Sequence, residues 1–137
     1  MLTTDDPLLL RERDARGVVK LTLNRPQAFN ALSEAMLAAL QTELDLLAKD
    51  ESMRVLVIAA AGKAFCAGHD LLEMRAAPSL AYYEKLFAQC ARMMLSIQRL
   101  PVPVIAQVPG IATAAGAAPP PTRTCPRTTR RRRPRRP

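Results

Sequence analysis

Residues 55–72, VLVIAAAGKAFCAGHDLL, decide the fold of this chain. Val55 to Ala60 is a short apolar run with several β-branched residues, which is typical of a parallel strand buried on both faces. Gly62 and Gly68 follow the run and give the backbone the freedom that a loop requires. Asp70 is a suitable N-cap for a short helix directly after the loop. The stretch therefore predicts a strand, a glycine-containing loop and a helix start in immediate succession.

Such a junction predicts a site for negative charge. Where a strand ends and a helix begins, unpaired backbone N–H groups and the positive end of the helix point outward together. This arrangement suits an anion or the oxyanion of a transition state. Val104 to Val108 predicts a second buried strand, and Pro109 with Gly110 turns the chain into a loop of small residues that ends at Gly116. We expect the two strands to be parallel neighbours, which would bring the two loops together.

The rest of the first 116 residues predicts a hairpin and two long helices. The predicted hairpin strands span residues 8–13 and 18–23, the first helix runs from its N-cap Ser33 to about residue 49, and the second helix spans residues 80–98. Helical spacing predicts two buried faces: Met36, Leu40, Leu44 and Leu47 on the first helix, and Tyr83, Phe87, Cys90, Met94 and Ile97 on the second. Strands that alternate with helical crossovers predict an α/β fold class.

Charge divides the chain into two unlike regions. Residues 1–116 contain 12 Lys and Arg residues and 12 Asp and Glu residues, so the net charge of +8 belongs to residues 117–137. This tail contains eight arginines and six prolines but no acidic residue and no glycine. Such a composition cannot bury enough apolar surface to offset the entropy of ordering the chain. We therefore expect a partial domain over residues 1–116 and a disordered tail over residues 117–137.

Cysteine content and the N-terminus exclude several classes of protein. The chain has three cysteines and no CxxC pair, which argues against a disulfide framework or a zinc site and predicts reduced thiols and no bound metal. The first ten residues carry two acids where a signal peptide needs positive charge. No apolar run approaches the roughly 18 residues of a membrane-spanning helix. These features predict a cytoplasmic protein.

Three segments carry a resemblance to a known family. NRPQAFNAL at 24–32, FCAGHDL at 65–71 and PVPVIAQVPGIATAAG at 101–116 occur in order and at fitting spacing. Over about Leu8 to Gly116, the chain thereby resembles the enoyl-CoA hydratase/isomerase (crotonase) superfamily. The resemblance implies the first half of a right-handed spiral of ββα turns. It also implies an acyl-CoA thioester as ligand, coenzyme A as part of the substrate with no separate cofactor, and the homo-oligomers, trimers or hexamers, that are common in the family.

The resemblance also implies the roles of individual residues. The backbone N–H groups of His69 and Ala115 would form an oxyanion hole that stabilises an enolate. The His69 side chain could instead act as a catalytic base, but its N–H alone accounts for its position, and Asp70 is explained as a helix cap. The residues implied at the substrate and coenzyme A site are Arg25, Ala28, Ala64, Ala67, Gly68, Asp70, Leu71, Leu72 and Gly110. A solvated loop arginine explains Arg25 equally well.

The sequence departs from the family pattern after Gly116. Hydratases of the family use two glutamates, of which the first aligns with Ala118 and the second would lie beyond Pro137. Pro119 to Pro121 would each cost about 3 kcal/mol inside a helix, so the next helix of the family is not expected. We therefore expect a truncated, inactive chain whose tail comes from a shifted frame of GC-rich coding sequence. The alternatives are an arginine-rich arm that binds nucleic acid or other polyanions, and a non-catalytic acyl-CoA-binding module.

Overall fold

The computed structural model describes residues 6–117 and 124–128. Within them, the strands are β1 (Leu9–Arg13), β2 (Val18–Leu23), β3 (Val55–Ala60), β4 (Ala64–Cys66), β5 (Val104–Val108), β6 (Ile111–Ala112) and β7 (Thr124–Thr128). The α-helices are α1 (Glu34–Leu47), α2 (Leu71–Ala76) and α3 (Leu80–Arg99), and two 3₁₀ turns span Pro26–Ala28 and Ala114–Ala117. This architecture confirms the predicted α/β class.

The strands form two sheets. Five of them form the main sheet in the order β1-β2-β3-β5-β7, where β1 is antiparallel to β2 and all other neighbours are parallel. β4 and β6 form a separate parallel pair. Leu56 of β3 lies opposite Val104 of β5, and Ile58 lies opposite Ala106. The prediction that these two strands are parallel neighbours is therefore confirmed, and the loops that follow them leave the same edge of the sheet.

Helix α1 and alternate residues of β2 supply much of the core. Ser33 caps α1 by accepting a hydrogen bond from the Met36 N–H at 3.1 Å, as predicted. The predicted face of α1 is buried, and Leu37 joins it. The buried residues of β2 are Val19, Leu21 and Leu23, which matches the period of two expected for a half-covered strand.

The buried face of α3 differs in part from the predicted one. The structure buries Leu86, Cys90 and Met93, whereas Phe87 is 48% exposed. Met94 and Ile97 are partly buried and pack against the core, as predicted. On one helix, two faces whose residues are spaced by three and four positions overlap, so the predicted and observed faces share Cys90, Met94 and Ile97. The orientation of α3 is set by its packing on α1, which sequence spacing does not specify. Phe87 is consequently free to contact His69, as described below.

Residues 124–128 of the tail lie within the described ranges. Thr124–Thr128 forms β7 and pairs in parallel with β5, with Val104 opposite Thr124 and Val108 opposite Thr128. A sheet edge offers N–H and C=O groups to any extended backbone, so pairing does not require apolar side chains. Pro126 is compatible with β7 because β7 is an edge strand. The other predictions for the tail, including Ala118 and the run Pro119 to Pro121, fall on residues outside the described ranges.

No helix along the described stretches has both the length and the apolar character that a membrane crossing requires.

Candidate functional site

Two loops meet at the carboxyl ends of β3 and β5. We call residues 61–70 the first loop and residues 109–117 the second loop. The pairing of β4 with β6 joins them, and the Thr113 N–H donates to the Cys66 carbonyl oxygen at 3.0 Å. The Thr113 hydroxyl also donates to the Ala67 carbonyl oxygen at 3.2 Å. The segments that carry the two predicted oxyanion donors are therefore hydrogen-bonded to each other.

His69 lies in a bridge that orients its backbone. The Leu32 N–H donates to the Gly68 carbonyl oxygen at 2.7 Å, and the Asp70 N–H donates to the Leu32 carbonyl oxygen at 3.1 Å. In this parallel pattern the two bonds flank His69, so the His69 N–H points away from Leu32. Within the described residues, the His69 N–H has no hydrogen-bond acceptor. The first predicted donor is thus held by its neighbours and left open.

Ala115 lies in the 3₁₀ turn Ala114–Ala117. The first N–H groups of a helical turn have no acceptor within that turn, and the Ala115 N–H finds none elsewhere in the part of the chain that the structure describes. Gly116 packs directly against the first loop, because a Cβ added there would lie 2.5 Å from the Cys66 carbonyl oxygen. Both predicted donors are therefore open N–H groups on loops in direct contact.

The side chain of His69 is in an apolar environment. Its ring meets Phe87 edge to face, with ring centroids 5.1 Å apart and an interplanar angle of 69°. Its Nδ1 atom is buried and has no hydrogen-bond partner among the described residues. Burial lowers the pKa of His69 below its ordinary value of 6.5, which favours the neutral imidazole. A neutral ring with no orienting partner is suited to lining an apolar pocket.

Asp70 acts as the predicted N-cap of α2 and also forms an ion pair. Its carboxylate accepts hydrogen bonds from the N–H groups of Leu72 at 3.1 Å and Glu73 at 3.2 Å. Its other oxygen lies 2.6 Å from Nη1 of Arg25. Burial is the largest single influence on the Asp70 pKa and raises it, but Arg25 and the two N–H groups together outweigh burial, so the pKa is lowered from 3.8. Asp70 is therefore ionised and connects the first turn of α2 to Arg25, so Arg25 is not a solvated loop arginine.

Sequence reasoning missed Asn30, which joins the 24–32 segment to the first loop. Asn30 is fully buried, and its Nδ2 donates to the carbonyl oxygens of Ala61 and Ala64, both at 2.9 Å. Its Oδ1 accepts the Arg25 N–H at 2.8 Å. Its φ of 53° lies in the left-handed region, which asparagine tolerates better than most residues. An asparagine soon after the Pro26 turn is the one sequence signal that could have indicated this role.

Residues 13–118 match the sequence profile of the enoyl-CoA hydratase/isomerase family. The chain belongs to this family.

Relatives and solved structures agree with the family assignment. The Xenopus laevis enoyl-CoA hydratase domain-containing protein 3, mitochondrial, is 43% identical over 110 residues, which are 80% of this chain and 37% of the relative. The 1,2-epoxyphenylacetyl-CoA isomerase of Escherichia coli K12 is 36% identical over 107 residues, covering 74% of this chain and 40% of the relative. A crystal structure of an enoyl-CoA hydratase from Mycobacterium smegmatis is 74% identical and covers 81% of this chain and 43% of that chain, with a TM-score of 0.80. The chain thus spans about two fifths of the length of the curated relatives it matches.

The remaining site residues expected from the family lie around the first loop. Ala64 and Gly68 are buried, whereas Ala67 is exposed and donates its N–H to the Phe29 carbonyl oxygen at 3.1 Å. Gly68 has a φ of 88°, which explains why glycine is needed there.

The other expected contacts lie on three separate elements. Leu71 and Leu72 of α2 are 68% and 81% exposed. Ala28 ends the 3₁₀ turn Pro26–Ala28. At Gly110, an added Cβ would lie 2.0 Å from the Lys63 carbonyl oxygen, so the second loop approaches the first closely there as well. No cluster of His, Cys, Asp or Glu suited to a metal ion occurs within residues 6–117 and 124–128.

Proposed function

We propose that this chain binds an acyl-CoA thioester and polarises the thioester carbonyl between the backbone N–H groups of His69 and Ala115. The observation that supports it is that both N–H groups are open while their loops are hydrogen-bonded to each other. Donors that the fold holds in place stabilise a developing enolate oxygen without reorganisation. Losing one donor in a comparable site costs about 3 kcal/mol of transition-state stabilisation.

Coenzyme A is proposed to bind as part of the substrate, with no separate cofactor. The exposed Ala67 and the exposed leucines 71 and 72 of α2 offer backbone and apolar surface beside the first loop. Arg25 and Ala28 lie on the adjacent segment, which Asn30 joins to that loop. The positive charge of Arg25 is partly offset by Asp70, so we assign Arg25 a positioning role in addition to any contact with the nucleotide.

We further propose that the chain polarises its ligand without completing hydration or isomerisation. The carboxylates nearest the first loop are already engaged: Asp70 pairs with Arg25, and Glu73 accepts the Glu34 N–H at 3.0 Å. Ala118, the residue aligned with the first family glutamate, has no acid–base group. Positioned acid–base catalysis contributes about 10²- to 10⁴-fold, so its absence would leave little turnover.

A pair of ligands tests the proposal. Calorimetry should show that a short-chain acyl-CoA thioester binds about tenfold more tightly than its S-alkyl thioether, which lacks the carbonyl oxygen and is otherwise matched. Equal affinities would contradict carbonyl polarisation.

Incubation with a short-chain enoyl-CoA tests the proposed lack of catalysis. It should show hydration near the buffer rate, and clear turnover would contradict the proposal.

The tail supports two further proposals. We propose that residues 117–137 derive from a shifted reading frame, because the family match ends at residue 118 and the composition changes at residue 117. Sequencing across the codons for Gly116 and Ala117 tests this, and an uninterrupted genuine frame would refute it.

As the alternative function, the eight tail arginines favour weak binding to polyanions without sequence preference. Titration of a fluorescent oligonucleotide should then show affinity that falls steeply with salt.

A further inference from the structure

Cys66 lies where the two loops touch. Its side chain is buried, with 2% of the residue exposed, at the end of β4. Its carbonyl oxygen accepts the Thr113 N–H of the second loop, and its Sγ accepts the Gly68 N–H of the first loop at 3.4 Å. A Cβ added at Gly116 would lie 2.6 Å from the Cys66 Cβ and 2.8 Å from its Sγ. Cys66, a residue of the first loop, therefore contacts the second loop through its carbonyl oxygen, its Cβ and its sulfur, and the sulfur also accepts a hydrogen bond within the first loop.

Two of these contacts, those with Gly68 and Gly116, are one residue away from a candidate donor. Gly68 directly precedes His69, and Gly116 directly follows Ala115. The sulfur holds the Gly68 N–H on one side and limits the approach of Gly116 on the other. A smaller side chain at residue 66 would leave a buried N–H unpaired and open space beneath Gly116. Either change would shift a peptide group adjacent to a donor.

The thiol itself is suited to packing and to accepting a hydrogen bond. Burial raises the pKa of Cys66 above its ordinary value of 9.0, so the thiol is protonated at neutral pH. Nucleophilic attack requires the thiolate, which this environment disfavours. The sulfur is also larger than a hydroxyl oxygen, and it fills the space against Gly116 that oxygen would fill only in part.

We propose that Cys66 is a positioning residue that sets the spacing between the His69 and Ala115 N–H groups. This inference rests on the proposed function, since the spacing matters only if both groups bind one carbonyl oxygen. A misplaced donor weakens binding of the thioester but has no effect on binding of a thioether. Cys66 therefore governs the preference for thioester over thioether, while the affinity for the rest of coenzyme A is unaffected.

The experiment compares Cys66→Ala, Cys66→Ser and Cys90→Ala in the full chain. Cys90→Ala is the matched control because Cys90 is also buried, at 5% exposed, but lies on α3 and forms no described hydrogen bond with either loop. Thermal unfolding should show a lower midpoint for Cys66→Ala than for Cys90→Ala, because only Cys66→Ala also leaves the buried Gly68 N–H unpaired, so binding is compared at a temperature at which both variants are folded. The readouts are the ratio of thioether to thioester dissociation constants and the absorption shift of a bound conjugated dienoyl-CoA, which reports carbonyl polarisation.

We expect Cys66→Ala to lower the affinity ratio about threefold, because both donors remain but are misplaced, and to reduce the absorption shift. Cys66→Ser should restore part of both, because its hydroxyl can accept the Gly68 N–H. Cys90→Ala should keep the wild-type values. Full preference in Cys66→Ala, or equal loss in Cys90→Ala, would overturn the positioning role and leave the proposed function intact. A wild-type chain with no thioester preference would overturn the proposed function and this inference with it.

Discussion

The two loops of the candidate site are held in different ways. Elements from elsewhere in the chain hold the first loop: the Asn30 amide bonds two of its carbonyl oxygens, and Leu32 bonds on either side of His69. The second loop is held mainly by the first, through Thr113 and through the contact of Gly116 with Cys66. The position of the first donor therefore depends on the core of this chain. The position of the second depends on the first loop.

The largest expected effect comes from removing the amide that holds the first loop. Asn30→Ala should lower the free energy of unfolding by about 3 kcal/mol, because it leaves buried N–H and C=O groups without partners and places alanine at a positive φ. Urea denaturation measures this. Asn24→Ala is the control, since Asn24 makes one exposed hydrogen bond to the Pro7 carbonyl oxygen and should cost well under about 1 kcal/mol. Equal losses in the two variants would show that the first loop does not depend on Asn30.

The second expected effect separates the loops. Gly116→Ala should lower the free energy of unfolding by about 1–3 kcal/mol through overpacking, because its Cβ would lie 2.5 Å from the Cys66 carbonyl oxygen. Amide hydrogen exchange should then show faster exchange at Thr113, whose N–H bonds Cys66, while Ala67, bonded to Phe29, keeps its protection. Ile111→Ala, at a 67% exposed position of the second loop, should leave both rates unchanged. Simultaneous loss of protection at both amides would mean that the loops are one unit.

The third expected effect depends on pH. Because the folded-state pKa of Asp70 is lowered, its ionisation stabilises the fold fully above about pH 3.8, and this stabilisation is lost as the pH falls through the folded-state pKa. Asp70→Asn keeps a capping oxygen but removes the charge that pairs with Arg25. It should be about 1 kcal/mol less stable than wild type at pH 7 and should converge with wild type in acid.

Denaturation at several pH values measures the Asp70 effect. Asp45→Asn is the control, since Asp45 is exposed on α1 and accepts only from the Gln41 amide. A stability difference between wild type and Asp70→Asn that is the same at all pH values would show that the charge of Asp70 is not what anchors the first loop.

The smallest expected effect distinguishes the backbone of His69 from its side chain. His69→Ala keeps the N–H and should change the thioester preference by less than about twofold, while loss of the edge contact with Phe87 costs about 1 kcal/mol of stability or less. His69→Pro removes the N–H and should abolish the preference, provided that circular dichroism shows a folded chain. A large loss of preference in His69→Ala would show that the imidazole, not the backbone N–H, produces the thioester preference, and would refute the backbone role.

Much of the fold follows from local sequence signals. The apolar runs of β3 and β5 are bounded by glycine and proline, and both strands have the predicted ends. Ser33 and Asp70 cap α1 and α2 as predicted, because a short polar side chain that bonds the first turn is a local feature. The parallel pairing of β3 and β5 followed from the similar strand-to-loop pattern after each strand.

The rest depends on contacts between distant residues. β4 and β6 have three and two residues and no periodicity, so only their pairing with each other defines them. The ion pair of Arg25 with Asp70 joins residues 45 apart in sequence. The position of Phe87 outside the core was not predicted because packing, not helical spacing, sets the orientation of α3. The site is therefore less predictable than the strands that support it.

The Leu32–His69 bridge makes residue 69 tolerant of different side chains. The bridge is made by backbone groups of Leu32, Gly68 and Asp70, so the direction of the His69 N–H does not depend on which side chain residue 69 carries. Substitutions at this position can therefore reshape the surface beside Phe87 without moving the peptide that carries the donor. A change of side chain at residue 69 therefore alters the surface beside Phe87, while the two backbone hydrogen bonds of Leu32 stay the same.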